Sequence, residues 1–205
     1  MCGRYMLFGD AQNEELNRII EEINDRLKDN PDAPALKTGE IFPTDTVPII
    51  VYRNGNRSAH PARWGFPNFN KPGVIINAKG ETLQETIFRK SFQDRRCIVP
   101  ACGYLEWTKG TPKKEKFFIH TGKPLLYMAG LYGIFRDKND KPYTGFVIVT
   151  TEPNAAVSAI HNRMPVILPP DRAEQWLTET DPATLQGLLR PYEEVIMQNS
   201  PPQSP

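Results

Sequence analysis

Cysteine at the second position carries the most chemical information in this sequence. Its small side chain is compatible with removal of Met1, which leaves an amine and a thiol on the same first residue. An α-amine with an ordinary pKa of about 7.7–8.0 and a thiol of about 8.5 both reach nucleophilic forms near neutrality. An aldehyde meeting that pair forms a Schiff base with the amine, and the thiol then adds to close a five-membered thiazolidine. Lysine makes the first bond but cannot close the ring. Taken alone, Cys2 reads better as an incidental second-position cysteine, so three further segments carry the decision.

The first is Asn77-Ala78-Lys79-Gly80-Glu81-Thr82, after an apolar strand and at the start of a helical stretch. An amide and a cation at such a junction suit anion or phosphate contact; the same residues also make an ordinary capped turn, with Asn77 or Thr82 satisfying backbone groups. The second runs from Arg95 to Trp107, with Glu106 set between Leu105 and Trp107. Burial would raise its carboxyl pKa and make it a proton donor and acceptor near neutrality. Strand alternation also permits a solvent-facing glutamate. The third is His161-Asn162-Arg163-Met164-Pro165, offering a general acid or base at His161 and an anion contact at Arg163. His60, followed by Pro61, and His120, at a strand end, are read as structural. Cys97 and Cys102 lack C-x-x-C spacing and a histidine pair, so neither zinc nor any other metal or cofactor is expected.

These residues need a scaffold, and the chain spells out a β-rich one. Leu16, Ile19, Ile20, Ile23 and Leu27 recur at helical spacing between Asp10 and Asn30-Pro31, which predicts an amphipathic helix with a proline stop. Short β-like runs follow. Val47 to Arg53 and Arg57 to Trp64 flank Asn54-Gly55-Asn56, a hairpin signal. Further strands are expected at 74–78, 98–99, 104–107, 116–120, 125–135, 145–151 and 161–168. Helices are expected at 81–92, from Pro153-Asn154 to Ile160, and at 171–177 and 182–189. The expected fold is α+β: a curved or barrel-like, mostly antiparallel sheet with a few flanking helices, in one domain over residues 1–198, with a flexible tail at 199–205.

Composition narrows the functional classes. The 205 residues hold 25 Lys and Arg against 24 Asp and Glu, a net charge of +1, which removes a polybasic tail or an acidic disordered tract as the basis of action. Any nucleic-acid surface must then arise from local arrangement of basic residues. Apolar residues at 39% and aromatics at 10% supply a sizeable core, while 20 prolines argue against a helix bundle. No apolar run approaches the roughly 18 residues of a membrane span, and the N-terminus lacks a signal peptide's apolar stretch. Three cysteines without disulfide-like spacing fit a reducing, cytoplasmic setting.

Together the motifs resemble the SRAP family (SOS response-associated peptidase), whose members bind abasic sites in single-stranded DNA. The stretches that carry the resemblance are Met1 to Tyr5, Trp64-Gly65-Phe66, Asn77 to Thr82, Cys97 to Trp107, Ala129-Gly130-Leu131, Val149-Thr150-Thr151 and His161 to Pro165, in order along most of the chain. The resemblance implies that Cys2, freed of Met1, crosslinks to the ring-opened aldehyde of an abasic deoxyribose, with Asn77, Glu106 and His161 around that ring and a basic cleft for the DNA backbone. Arg4, Lys79 and Arg163, with Arg89 further off, are the expected phosphate contacts, and Trp107 the stacking surface. Three positions depart from the family pattern. Phe66-Pro67-Asn68-Phe69 replaces a longer, tryptophan-bearing loop, which passes base stacking to Phe66 or Phe69. Lys79 stands where arginine is common, and Asn162 where an acidic residue is frequent. The expected partner is single-stranded DNA containing abasic sites, met by a monomer without membrane attachment. Rival expectations are a cysteine peptidase built on Cys2, His161 and Glu106, and a non-covalent single-strand-binding module.

Overall fold

The computed structural model describes residues 2–9, 13–31, 33–108 and 114–199. In chain order, strand β1 (Arg4–Leu7) leads to helix α1 (Glu14–Leu27), a short β2 (Gly39–Ile41), and the hairpin of β3 (Thr46–Arg53) and β4 (Asn56–Trp64). Then come β5 (Phe66–Pro67), β6 (Val74–Ile75), β7 (Asn77–Lys79), a 3₁₀ turn at Gly80–Glu85 and α2 (Arg89–Asp94). The middle of the chain gives β8 (Arg96–Ala101), β9 (Gly103–Trp107), β10 (Lys116–His120), β11 (Leu126–Arg136) and β12 (Pro142–Thr151). It finishes with α3 (Ala155–Ser158), β13 (Met164–Pro165), β14 (Ile167–Leu168), α4 (Pro170–Thr178), α5 (Pro182–Leu188) and β15 (Ile196–Gln198).

Two sheets organise these pieces. Strands β4, β3, β8, β11 and β12 close into a barrel, because β12 pairs antiparallel with β11 on one side and parallel with β4 on the other. Closure removes the free edges that an open sheet would expose. The second sheet has the order β15-β10-β9-β1-β2, antiparallel throughout. A further parallel pairing places β7 beside β12, with Asn77 opposite Ile148. The expected α+β barrel is therefore present, with these two parallel joints as its departure from an antiparallel plan.

Local chemistry explains the best-formed elements. Asn54 (φ 52°) and Gly55 (φ 80°) supply the two positive dihedrals that a tight hairpin turn requires. Helix α1 starts where the Asn13 side chain accepts from the Leu16 amide, with Glu14 and Glu15 in its first turn and Arg26 in its last. It buries Leu16, Ile19 and Ile23, each worth about 1.5–3 kcal/mol in transfer from water. At Gly65 (φ +125°) an added Cβ would lie 2.7 Å from Val74, so only glycine lets β4 turn into β5 there. The main core packs Trp64 edge-on against Tyr5 (5.2 Å between centroids) and stacks it on Phe146 (6.3 Å).

Three expectations change in detail. The single helix at 81–92 is instead a 3₁₀ turn and a separate short α2. Thr82 leaves the helical region, and Thr86 is extended, its hydroxyl bonding Leu83 O and accepting from the Phe88 amide. A β-branched hydroxyl residue that caps a new start interrupts the first turn. The strand expected at 161–168 reduces to β13 and β14, which pair with different neighbours, β12 and β11, while 161–163 form a loop. Strand β15, at the sheet edge beside β10, falls in a segment with no sequence signal. Of the expected flexible tail, residues 200–205 lie outside the described residues.

Candidate active site at the N-terminal cysteine

The register of the second sheet decides what faces inward. Tyr5 on β1 lies directly opposite Tyr104 on β9, and side chains two apart share a face, so Tyr5, Tyr104 and Glu106 point the same way. That face is the interior: all three side chains are buried, as is Cys2. Glu106 is therefore a buried strand glutamate, and its solvent-facing alternative is overturned. The Cys2 thiol lies 3.7 Å from the carbonyl of Arg4.

Two loops bring the remaining groups. Asn77, held by the parallel pairing of β7 to β12, donates from Nδ2 to the carbonyl oxygen of Cys2 at 2.9 Å. His161 follows α3, whose start is capped by the Asn154 side chain accepting from the Val157 amide. His161 Nδ1 lies 3.0 Å from the Arg163 amide nitrogen and 3.1 Å from the Arg163 carbonyl oxygen, which holds the ring in place. Nε2 faces Glu106 Oε1 at 3.8 Å, both side chains almost fully enclosed. The four residues expected to carry chemistry, Cys2, Asn77, Glu106 and His161, thus converge on one buried site.

Its electrostatics favour uncharged acids. Burial, then the Glu106 carboxylate, push the Cys2 thiol well above its ordinary range. Burial, then Cys2 and Glu106, do the same to the Tyr104 phenol, and burial followed by Cys2 raises Tyr5. The hydroxyls of Tyr5 and Tyr104 have no hydrogen-bond partner among the described residues. Orphaned donors of this kind cost about 1–3 kcal/mol each and gather where function needs them. Neither tyrosine was singled out in the sequence. The signal was there for Tyr104, two residues before Glu106 and so on its face of any strand.

The expected DNA contacts divide by location. Lys79 is exposed at the end of β7, opposite Thr150. Arg163 holds Glu81 in a two-pronged pair at 2.7 and 2.8 Å and donates to the Thr150 carbonyl at 2.6 Å. Hydrogen bonding from Arg163 in turn holds the Glu81 carboxyl below its usual range. Arg4 and Trp107 lie on the outer face of the second sheet, with the Arg4 guanidinium 5.5 Å from the Trp107 ring. Arg89 is exposed at the start of α2, which packs on β8, β11 and the 3₁₀ turn, and no contact among the described residues joins it to the cluster around Cys2. Of the two candidate stacking phenylalanines, Phe66 is 5% exposed and packs on Phe88 and Phe135, so it cannot meet a base; Phe69 is 85% exposed.

His60 and His120 have structural surroundings. His60 Nε2 pairs with the Ser58 hydroxyl at 3.0 Å, and His120 stacks on Phe118; burial lowers both pKa values. Among the described residues no group of three or more His, Cys, Asp or Glu is placed to hold a metal ion. No helix among them is long and apolar enough to cross a membrane.

A barrel fold with a buried cysteine near its N-terminus beside a carboxylate and an imidazole defines a class, and comparison with known proteins gives it a name. The family model described as SOS response associated peptidase (SRAP) matches residues 1–201, and this chain belongs to that family. It is 36% identical over 204 residues to the abasic site processing protein YoqW of Bacillus subtilis, covering 94% of this chain and 88% of the relative. It is 30% identical over 185 residues to the abasic site processing protein YedK of Escherichia coli, covering 87% and 80%. The fold matches a crystal structure of a Bacteroides thetaiotaomicron protein with a TM-score of 0.77 and 23% identity, over 96% of this chain and 90% of that one.

Proposed function

We propose that this chain shields abasic sites in single-stranded DNA by a covalent thiazolidine crosslink to Cys2, exposed as the first residue by removal of Met1. It does so as a monomer in the cytoplasm, without a metal or organic cofactor. Relatives named as abasic site processing proteins support the substrate class. The observation that carries the chemistry is the capture of the Cys2 carbonyl by the Asn77 amide beside the Glu106–His161 pair. An amine and thiol fixed by their own backbone have little orientational freedom left to lose in reaching an aldehyde.

In this reading the sugar ring opens to an aldehyde and the Cys2 amine adds to its C1′ carbon. Loss of water gives an imine, and the thiol adds across C=N, sulfur to carbon and hydrogen to nitrogen, so one water leaves overall. Glu106 passes protons to and from the departing oxygen and the ring nitrogen. His161, with Nε2 facing Glu106, polarises a sugar hydroxyl or water and steadies the carboxylate. Asn77 Oδ1, buried and without a partner among the described residues, accepts from the amine or the sugar. Lys79, Arg4 and Arg163 face the backbone phosphates, and Trp107 and Phe69 offer stacking surfaces.

A thiol peptidase, as the family description suggests, needs a thiolate near neutrality. Burial and Glu106 oppose that in Cys2, whereas a reaction led by the amine does not require it. The test is a denaturing gel of the protein incubated with single-stranded DNA carrying one abasic site. A denaturation-resistant species that is lost when the α-amine is acetylated supports the crosslink. Adduct formation that survives acetylation sinks it.

A further inference from the structure

On the outer rim of the second sheet, one carboxylate is shared by two cations. Glu40 on β2 takes Arg4 Nη1 at Oε1 (2.9 Å) and Lys116 Nζ at Oε2 (3.5 Å). It reaches both because Glu40 lies opposite Met6, two residues from Arg4 on β1, and Lys116 lies opposite Trp107 on β9. Aromatic rings frame the trio. The Arg4 guanidinium sits 4.1 Å from the Phe42 ring centroid and 5.5 Å from that of Trp107, and Lys116 Nζ lies 5.8 Å from Trp107. The side chains of Arg4, Lys116 and Glu40 are 39%, 35% and 28% exposed, so the cluster is open to solvent and preformed.

A planar carboxylate oxygen pair between a guanidinium and an ammonium resembles the geometry a phosphate takes between the same cations. Arg4 follows Cys2 by two residues, and Trp107 follows Glu106 on β9 with its side chain on the opposite face of that strand. We infer that Glu40 is a specificity-determining residue that stands in for a nucleic-acid phosphate between Arg4 and Lys116, so that strand capture here exchanges one anion for another. This rests on the function proposed above and adds a tuning element to it. An internal anion weakens capture of undamaged strands, which offer only phosphates, and leaves discrimination to the aldehyde reaction. It also lowers the number of counterions released, because the cations are already partly neutralised. Phe42 and Trp107 hold Arg4 in place during the exchange by cation–π contact.

The experiment is a salt titration of the full chain against an undamaged single-stranded oligonucleotide, comparing the unaltered protein with Glu40→Gln by fluorescence anisotropy. Glu40→Gln should bind about three- to tenfold more tightly at ~50 mM salt, and its log–log salt slope should steepen by about 0.7–1.4, one or two further phosphates. Equal or weaker binding with an unchanged slope overturns the inference. Should Glu40→Gln lose cooperative unfolding, Glu40→Asn on the same edge strand replaces it, with the same two outcomes. If no adduct forms with abasic DNA in any variant, the proposed crosslinking fails, while the salt titration on undamaged DNA still decides the role of Glu40.

Discussion

The two faces of one sheet, β15-β10-β9-β1-β2, do opposite things with charge. Inside, Tyr5, Tyr104 and Glu106 lie in a closed interior with Cys2, and a carboxylate meets an imidazole 3.8 Å away with both groups withdrawn from water. Outside, one residue on along the same strands, Arg4, Trp107, Lys116 and Glu40 form pairs that solvent reaches. Losing one partner of an interior polar pair strands the other away from water, at about 1–3 kcal/mol. Exposed ones are worth ~0–1 kcal/mol and exchange readily. In the proposed reading, bond-making and strand capture lie on opposite faces of one sheet without sharing a side chain. Alternation by one residue keeps them apart.

Perturbing each face in turn should separate them. Cys2→Ala keeps an α-amine, which can form only a labile Schiff base, and removes the thiol needed for ring closure, so it should abolish the heat-stable adduct while leaving binding to undamaged strands in place. A full yield of stable adduct from that variant, read on a denaturing gel, would end the inner-face assignment. Glu106→Gln keeps shape but cannot deliver a proton, so crosslinking or reversal should slow by ~10² to 10⁴ with the adduct still detectable at long times. The dependence of rate on pH should lose one ionisation in that variant. Unchanged kinetics in both directions would hand the acid–base role to His161.

Alkaline stability probes the inner face without any DNA. Cys2, Cys97, Tyr5 and Tyr104 have pKa values raised in the fold, burial being the largest cause. An unfolded chain ionises its thiols from about pH 8.5 and its phenols from about pH 10, while the folded groups stay protonated. The stabilisation is therefore complete below pH ~8.5 and is lost as pH rises, by up to ~1.4 kcal/mol per pH unit for each group. Urea unfolding between pH 7 and 11 should show that decline, with a shallower slope in Cys97→Ala and an unaltered one in the outer-face variant Lys116→Met. A flat profile would contradict the dry interior. The smallest effect is expected from Lys79→Ala, which should lower the salt slope of capture by about 0.7 and leave the lifetime of an adduct already formed unchanged.

What the sequence disclosed followed from how far apart the interacting residues lie. Helix α1 and the β3–β4 hairpin were legible because their signals are local: an apolar 3.6 repeat with a capped start, and an Asn-Gly turn. Barrel closure was not, since β12 joins β4 and β7 in parallel across long intervening chain. The chemical residues could be picked out by type, yet alternation alone left Glu106 facing either way. Only the pairing of Tyr5 with Tyr104 fixed its phase. Its contact with His161 spans two motifs with no common periodicity. Glu40 escaped notice because a lone glutamate on a short strand looks like any solvated one until Arg4 and Lys116 are seen on both sides of it.

The hydrogen bond from Asn77 to the Cys2 carbonyl has a consequence for the order of synthesis. Cys2 is synthesised before Asn77, which follows 75 positions later, and before Glu106 and His161. At roughly 5–20 residues per second, the aminothiol end waits on the order of ten to thirty seconds for its last partner. Through that interval the thiol lies in water with its ordinary acidity, and any enzyme that trims a nascent N-terminus has access to it. Completion of the barrel closes that window, so a short pulse of a small thiol reagent should label Cys2 in stalled nascent chains and spare Cys2 in the finished protein, where it is buried. If Met1 is removed as proposed, the closing of the fold sets the deadline for that step.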